Sequence, residues 1–148
     1  MIDSPQLPTV VSVEDDEGHA ILIHQILEEG GLTNLYRHFS DGQSVIDLFT
    51  GREPSQSYIP GRTYVVLLDI ACQKSTGWRC FRLKANPLFQ TMPIIMLTTT
   101  DDMRDVLRCH QLGCSAYLQK PVEFEKFTRL IQTLGQFIRL LNVPALGA

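Results

Sequence analysis

Long apolar runs, basic clusters and paired metal-binding cysteines are all missing from this chain of 148 residues. No stretch reaches the roughly 18–20 apolar residues that a membrane-spanning helix requires, so no membrane partner is expected. Met1 to Pro8 carries neither a basic region nor an apolar run of signal-peptide length, and the expected location is cytoplasmic. Lysine and arginine number 13 against 16 acids, for a formal net charge of −3, and they are scattered. That distribution argues against a nucleic acid or an anionic surface as partner. Cys72, Cys80, Cys109 and Cys114 form no C-x-x-C pair, and the four histidines stand apart from them, which removes a thiolate zinc site. Cys109 and Cys114 are expected as small reduced core residues rather than a disulfide. No G-x-G-x-x-G or P-loop follows an apolar run, so the backbone cradle of a nucleotide-binding module is absent too.

What is present is an alternation. The hydrophobic fraction of 44% and charged fraction of 20% are those of a globular protein. The length suits one domain spanning 1–148, with its core over about 8–141 and no output domain behind it. Thr9-Val10-Val11-Ser12-Val13 is a β-branched run that breaks into Glu14-Asp15-Asp16-Glu17. Ala20, Ile23, Ile26 and Leu27 then follow at helical spacing up to Gly30-Gly31. Leu35 to Phe39 predicts a short strand, Asp41-Gly42 a turn, and Val45, Leu48 and Phe49 a short helix. Tyr64-Val65-Val66-Leu67-Leu68 and Pro93-Ile94-Ile95-Met96-Leu97 are continuous apolar runs, the pattern of strands covered on both faces. Helices are predicted over Gly77–Asn86, from Asp101 to Gly113, and from about Glu123 to Leu141, with Ala116-Tyr117-Leu118 a short strand between the last two. Strict β-α alternation implies a parallel sheet, because parallel neighbours need crossover connections. The fold class is therefore α/β: a doubly wound five-stranded parallel sheet with helices on both faces.

In such sheets the ligand site lies beyond the carboxyl ends of the strands. The residues found there are Glu14 and Asp15, Asp69, Thr98 and Lys120. Three acids make a hard, oxygen-rich site of the kind Mg²⁺ accepts, and Asp69 can act as a nucleophile toward phosphorus. The cation reduces repulsion between carboxylate and phosphoryl group, while an ammonium and a hydroxyl hold phosphoryl oxygens. Asp16 and Glu17 read as first-turn acids favoured by the helix dipole. His19, His24, His38 and His110 show no catalytic pairing and are expected solvated or half-buried. An aspartyl phosphatase would want a second acid two residues after its nucleophile, where this chain has Ala71.

These motifs, in this order, resemble the response-regulator receiver family of two-component systems, over about Val10 to Leu141. The resemblance rests on Val13-Glu14-Asp15-Asp16, Leu67-Leu68-Asp69, Gly77, Pro93 to Thr98, and Gly113 to Pro121. It implies a flavodoxin-like fold and phosphorylation of Asp69 by a histidine kinase, with output through protein contact. It also implies Mg²⁺ held by Glu14, Asp15, Asp69 and the backbone carbonyl of Ala71. Thr98 and Lys120 would contact the phosphoryl group, Thr98 and Tyr117 would form the switch, and Lys120-Pro121 is cis in many members. Such a protein catalyses at most its own phosphorylation and slow dephosphorylation. The alternative is a phosphorelay intermediate that passes the group to a histidine phosphotransfer domain. One departure is Gln73, where the family usually has proline. Ala71 and Thr100 offer no acid or amide to position water, which implies slow loss of the phosphoryl group. The long loop before the third strand and the extended last helix are similar to free-standing regulators paired with cyanobacterial phytochromes. That likeness implies a phytochrome-type kinase and a homodimer through the last helix, where Phe124, Phe137 and Leu140 fall off the core-facing stripe.

Overall fold

A computed structural model describes residues 7–32, 36–52, 57–69, 76–99 and 102–146. The elements are β1 (Thr9–Glu14), α1 (Glu17–Glu29), β2 (Tyr36–Phe39), α2 (Gly42–Thr50), β3 (Tyr64–Asp69) and a 3₁₀ helix (Thr76–Ala85). β4 (Ile94–Thr98), α3 (Met103–Leu112), β5 (Ala116–Gln119) and α4 (Phe124–Leu140) complete the alternation. All strand pairs are parallel, in the order β2-β1-β3-β4-β5.

The continuous apolar runs are explained by two covered faces. Val10, Val65, Leu67, Ile95 and Leu97 pack with Ile23 and Leu27 of α1 and with Phe127, Ile131 and Ile138 of α4. Alternate residues Val11, Val13, Val66, Leu68, Ile94 and Met96 point the other way, onto Val45, Leu48, Phe49, Phe81 and Cys109. Because side chains alternate along a strand, a central strand clad on both sides favours apolar residues at successive positions, as in Tyr64–Leu68 and Ile94–Leu97. The periodic residues of α1 are the buried ones, and the helix ends at Gly30, followed by Gly31 at φ 101°. Among the described residues no helix is long and apolar enough to cross a membrane.

Several local expectations change. Asp41 and Gly42 form no separate turn: Asp41 caps α2, its carboxylate accepting the Ser44 N–H at 2.7 Å. Asp102 caps α3 in the same manner, and Asp101 lies outside the described residues. The helix expected over Gly77–Asn86 is present as a 3₁₀ helix, Thr76–Ala85. Its burial explains why: Arg79, Arg82 and Ala85 are exposed while Cys80 and Leu83 are buried, a repeat of three that matches three residues per turn. The core also extends past Leu141. Leu146 is buried, and its backbone is tied to the segment before β3 by Gly61 N–H to Leu146 O (2.8 Å) and Leu146 N–H to Arg62 O (3.1 Å). The Lys120–Pro121 peptide is trans, since the described residues contain no cis bond. Cys80, Cys109 and Cys114 are free and buried, as expected of core thiols.

Candidate functional site

The register of β1 against β3 sets Glu14 opposite Asp69, so the two carboxylates leave the sheet side by side. β1 stands where the strand order reverses, with β2 on one flank and β3 on the other, the position at which open α/β sheets bind ligands. Both acids are nearly inaccessible, Glu14 at 2% and Asp69 at 3% exposure. Lys120 reaches them from the end of β5. Its backbone N–H is fixed to the Thr98 carbonyl at 2.7 Å, and its Nζ lies 2.7 Å from Asp69 Oδ2 and 3.3 Å from Glu14 Oε2. Residues separated by up to 106 positions thus share one buried ion cluster.

Other groups hold the acids in place. Glu14 Oε1 accepts the Asp16 N–H at 2.9 Å, and the Glu14 carbonyl accepts from His38 Nε2 at 2.8 Å. Burial pushes the Asp69 carboxyl above the usual carboxylate value, and the Lys120 hydrogen bond and charge pull it back. Asp16 is lowered because its carboxylate accepts the His19 N–H as the cap of α1.

Of the residues singled out in the sequence, Glu14, Asp69 and Lys120 are brought together. Thr98 lies buried at the end of β4, alongside them. Asp15 is exposed, because successive residues of an extended chain face opposite ways and Glu14 takes the inward direction. Tyr117 is half-buried against the core face that carries Val11 and Met96. Ala71, Gln73 and Thr100 lie outside the described residues. One neighbour of the cluster was missed: His19, exposed as expected, has its Nδ1 2.7 Å from Lys120 Nζ. The available signal was its place in the first turn of a helix that begins at the strands' carboxyl edge.

The two carboxylates of this cluster suit a hard divalent cation. Ligand atoms of Glu14, His19 and Asp69 lie within 4.8 Å of one another. Two buried carboxylates facing one ammonium leave an excess of negative charge when ionised, a burden that a cation relieves. Glu14 and Asp69 would offer it buried carboxylates, and Asp15, next in the chain, is exposed.

Comparisons with known proteins agree with this geometry. Residues 10–132 match the sequence model of the response regulator receiver domain. A response regulator receiver domain from Rhodospirillum rubrum superposes with a TM-score of 0.84 at 38% identity, covering 95% of this chain and 99% of that one. The bacteriophytochrome response regulator AtBRR is 32% identical, with a TM-score of 0.62 and coverage of 93% and 99%. Response regulator Rcp1 of Synechocystis is 24% identical over 148 residues, 98% of this chain and 99% of that protein. The Mn²⁺-bound form of Rcp1 superposes with a TM-score of 0.81 at 21% identity, covering 93% and 99%. With the reversal-point acids, the buried lysine and the match over most of its length, the chain belongs to the response regulator receiver family of two-component systems, with phytochrome-associated regulators among its relatives.

Proposed function

We propose that Asp69 accepts a phosphoryl group from the phosphohistidine of a sensor kinase, and that the phosphorylated chain signals through altered protein contacts. The observation that carries this reading is the Lys120 ammonium, 2.7 Å from the carboxylate of a buried Asp69 and shared with Glu14. An Asp69 oxygen attacks phosphorus, an O–P bond forms, and the N–P bond to the donor imidazole breaks, its electron pair leaving with that nitrogen. Lys120 pairs with the phosphoryl oxygens, and the buried Thr98 at the end of β4 supplies a hydroxyl to them. Mg²⁺, held by Glu14, Asp15, Asp69 and the Ala71 carbonyl, would neutralise charge between carboxylate and phosphoryl group.

Drawing Thr98 toward the phosphoryl group vacates space that Tyr117, half-buried on the neighbouring strand, turns to fill, which biases a two-state surface. A groove lined by His19, Leu22, Thr99, Lys120, Val122 and Phe124 opens beside the site and leaves room for a partner. The likeness to a bacteriophytochrome response regulator supports a phytochrome-type kinase as that partner. Exposed Phe124, Phe137 and Leu140 on α4 support a homodimer through this helix.

Incubation with acetyl phosphate and Mg²⁺, followed by intact mass, tests the assignment. The native chain gains one phosphoryl group and Asp69→Asn gains none. Equal gain in both refutes it.

A further inference from the structure

The imidazole of His19 is the one described group touching Lys120 Nζ that the chemistry above leaves without a role. We propose that His19 is a positioning residue for phosphoryl transfer, its Nδ1 holding the Lys120 ammonium at the depth where it meets Asp69. This inference rests on the reading of Asp69 as the acceptor.

An ammonium has three N–H donors and no lone pair. Here three acceptors surround it: Asp69 Oδ2 at 2.7 Å, His19 Nδ1 at 2.7 Å and Glu14 Oε2 at 3.3 Å. Because an ammonium can only donate, the proposed role requires Nδ1 as the acceptor and the ring proton on Nε2. The three acceptors are not equivalent. Asp69 changes when it is phosphorylated, since one oxygen becomes part of an anhydride and the carboxylate charge is lost. Glu14 is the longest contact and is also a candidate cation ligand. His19 is an acceptor that neither the reaction nor a cation on the two carboxylates needs to change.

His19 is exposed, and its place is set by the start of α1 and by one ring contact. Its backbone N–H donates to Asp16 Oδ1 at 3.0 Å, which fixes the first turn of α1. The imidazole centroid is 5.8 Å from the Phe127 ring, and Lys120 Nζ lies 5.6 Å from the centre of the same ring. Phe127 thus forms a floor on which lysine and histidine meet. The lysine needs such a guide, because four flexible methylenes separate the ammonium from a backbone anchored on β4. Pre-setting its position removes part of the ordering that transfer otherwise requires.

His19→Leu keeps the backbone cap and an apolar face for Phe127 but removes the acceptor. His19→Asn places an amide oxygen close to where Nδ1 stood. Phosphorylation by acetyl phosphate, followed by intact mass, is expected to slow about tenfold at saturating Mg²⁺ in His19→Leu, the scale of one charge-assisted hydrogen bond. The half-saturating Mg²⁺ concentration should stay within about twofold, and His19→Asn should recover to within about twofold of the native rate. A native rate in His19→Leu overturns the proposal, as does a His19→Asn variant as slow as the leucine. Long-range ¹H–¹⁵N spectra of the native chain, without phosphoryl donor, should show the Nε2–H tautomer of His19; the Nδ1–H tautomer overturns the proposal independently of any rate. A native chain that takes no phosphoryl group removes the acceptor reading and this inference with it, whereas the other outcomes bear on His19 alone.

Discussion

Lys120→Met deletes the ammonium from a cluster in which two carboxylates are nearly inaccessible, and its consequence can be sized from the geometry. The ligand atoms of Glu14 and Asp69 are no more than 4.8 Å apart, so two ionised carboxylates repel by at least about 3.5 kcal/mol at an effective dielectric constant of about 20. Removing one partner from a buried ion pair typically destabilises by roughly 3–5 kcal/mol. Some of that is relieved when the pair retains a proton, and about 3 kcal/mol at neutral pH is the expected loss. The pH dependence follows from the raised Asp69 carboxyl, which burial lifts and Lys120 lowers. Without Lys120, burial acts unopposed. A carboxyl raised on folding holds its proton more tightly in the folded chain, so stability is greatest while it is protonated. That stability is lost as pH climbs from the unfolded value through the raised folded one. The variant should therefore approach the native chain in acid and fall away from it toward neutral pH. Urea unfolding by circular dichroism from pH 5 to 8, without divalent cations, measures this directly. Added Mg²⁺ should narrow the gap, because a ligand of the folded state alone stabilises it. A deficit below about 1 kcal/mol at pH 7.5, or one that does not change with pH, would refute the reasoning.

Leu146→Ala should cost about 2 kcal/mol, at the low end for a buried leucine because the tail can relax; unchanged urea stability would show the tail contributes nothing to the core. Burial pushes the Cys80 and Cys109 thiols up to about 12, so neither should react with Ellman's reagent at pH 8 in the folded chain. Rapid labelling of either, mapped by peptide mass, contradicts this. Phe137→Glu places a charge on the exposed face of α4 and should convert a dimer to monomer in sedimentation without loss of helicity. A native chain that is monomeric at tens of micromolar, with and without phosphoryl donor, would rule out that interface.

The order of elements and the identity of the buried strands were legible in the chain itself. Tyr64 to Leu68 is apolar at every position because both of its faces are covered, and that pattern survives in one dimension. So is the list of residues at the strand ends, since Glu14, Asp69, Thr98 and Lys120 each end or follow such a run. Hydrogen-bond partners of single side chains are different, because they depend on separations of tenths of an ångström between distant segments. The first turn of α1 puts His19 at the strands' carboxyl edge, but it does not announce that this residue meets a lysine 101 residues away. Nor does the tail reveal that Leu146 folds back against the segment before β3. Periodicity selected the faces, and the register of β1 on β3 and the docking of α1 and α4 on one side decided which polar groups share a pocket. A local pattern records which environment each residue needs. Only the closed packing of the whole chain sets which other residue supplies it.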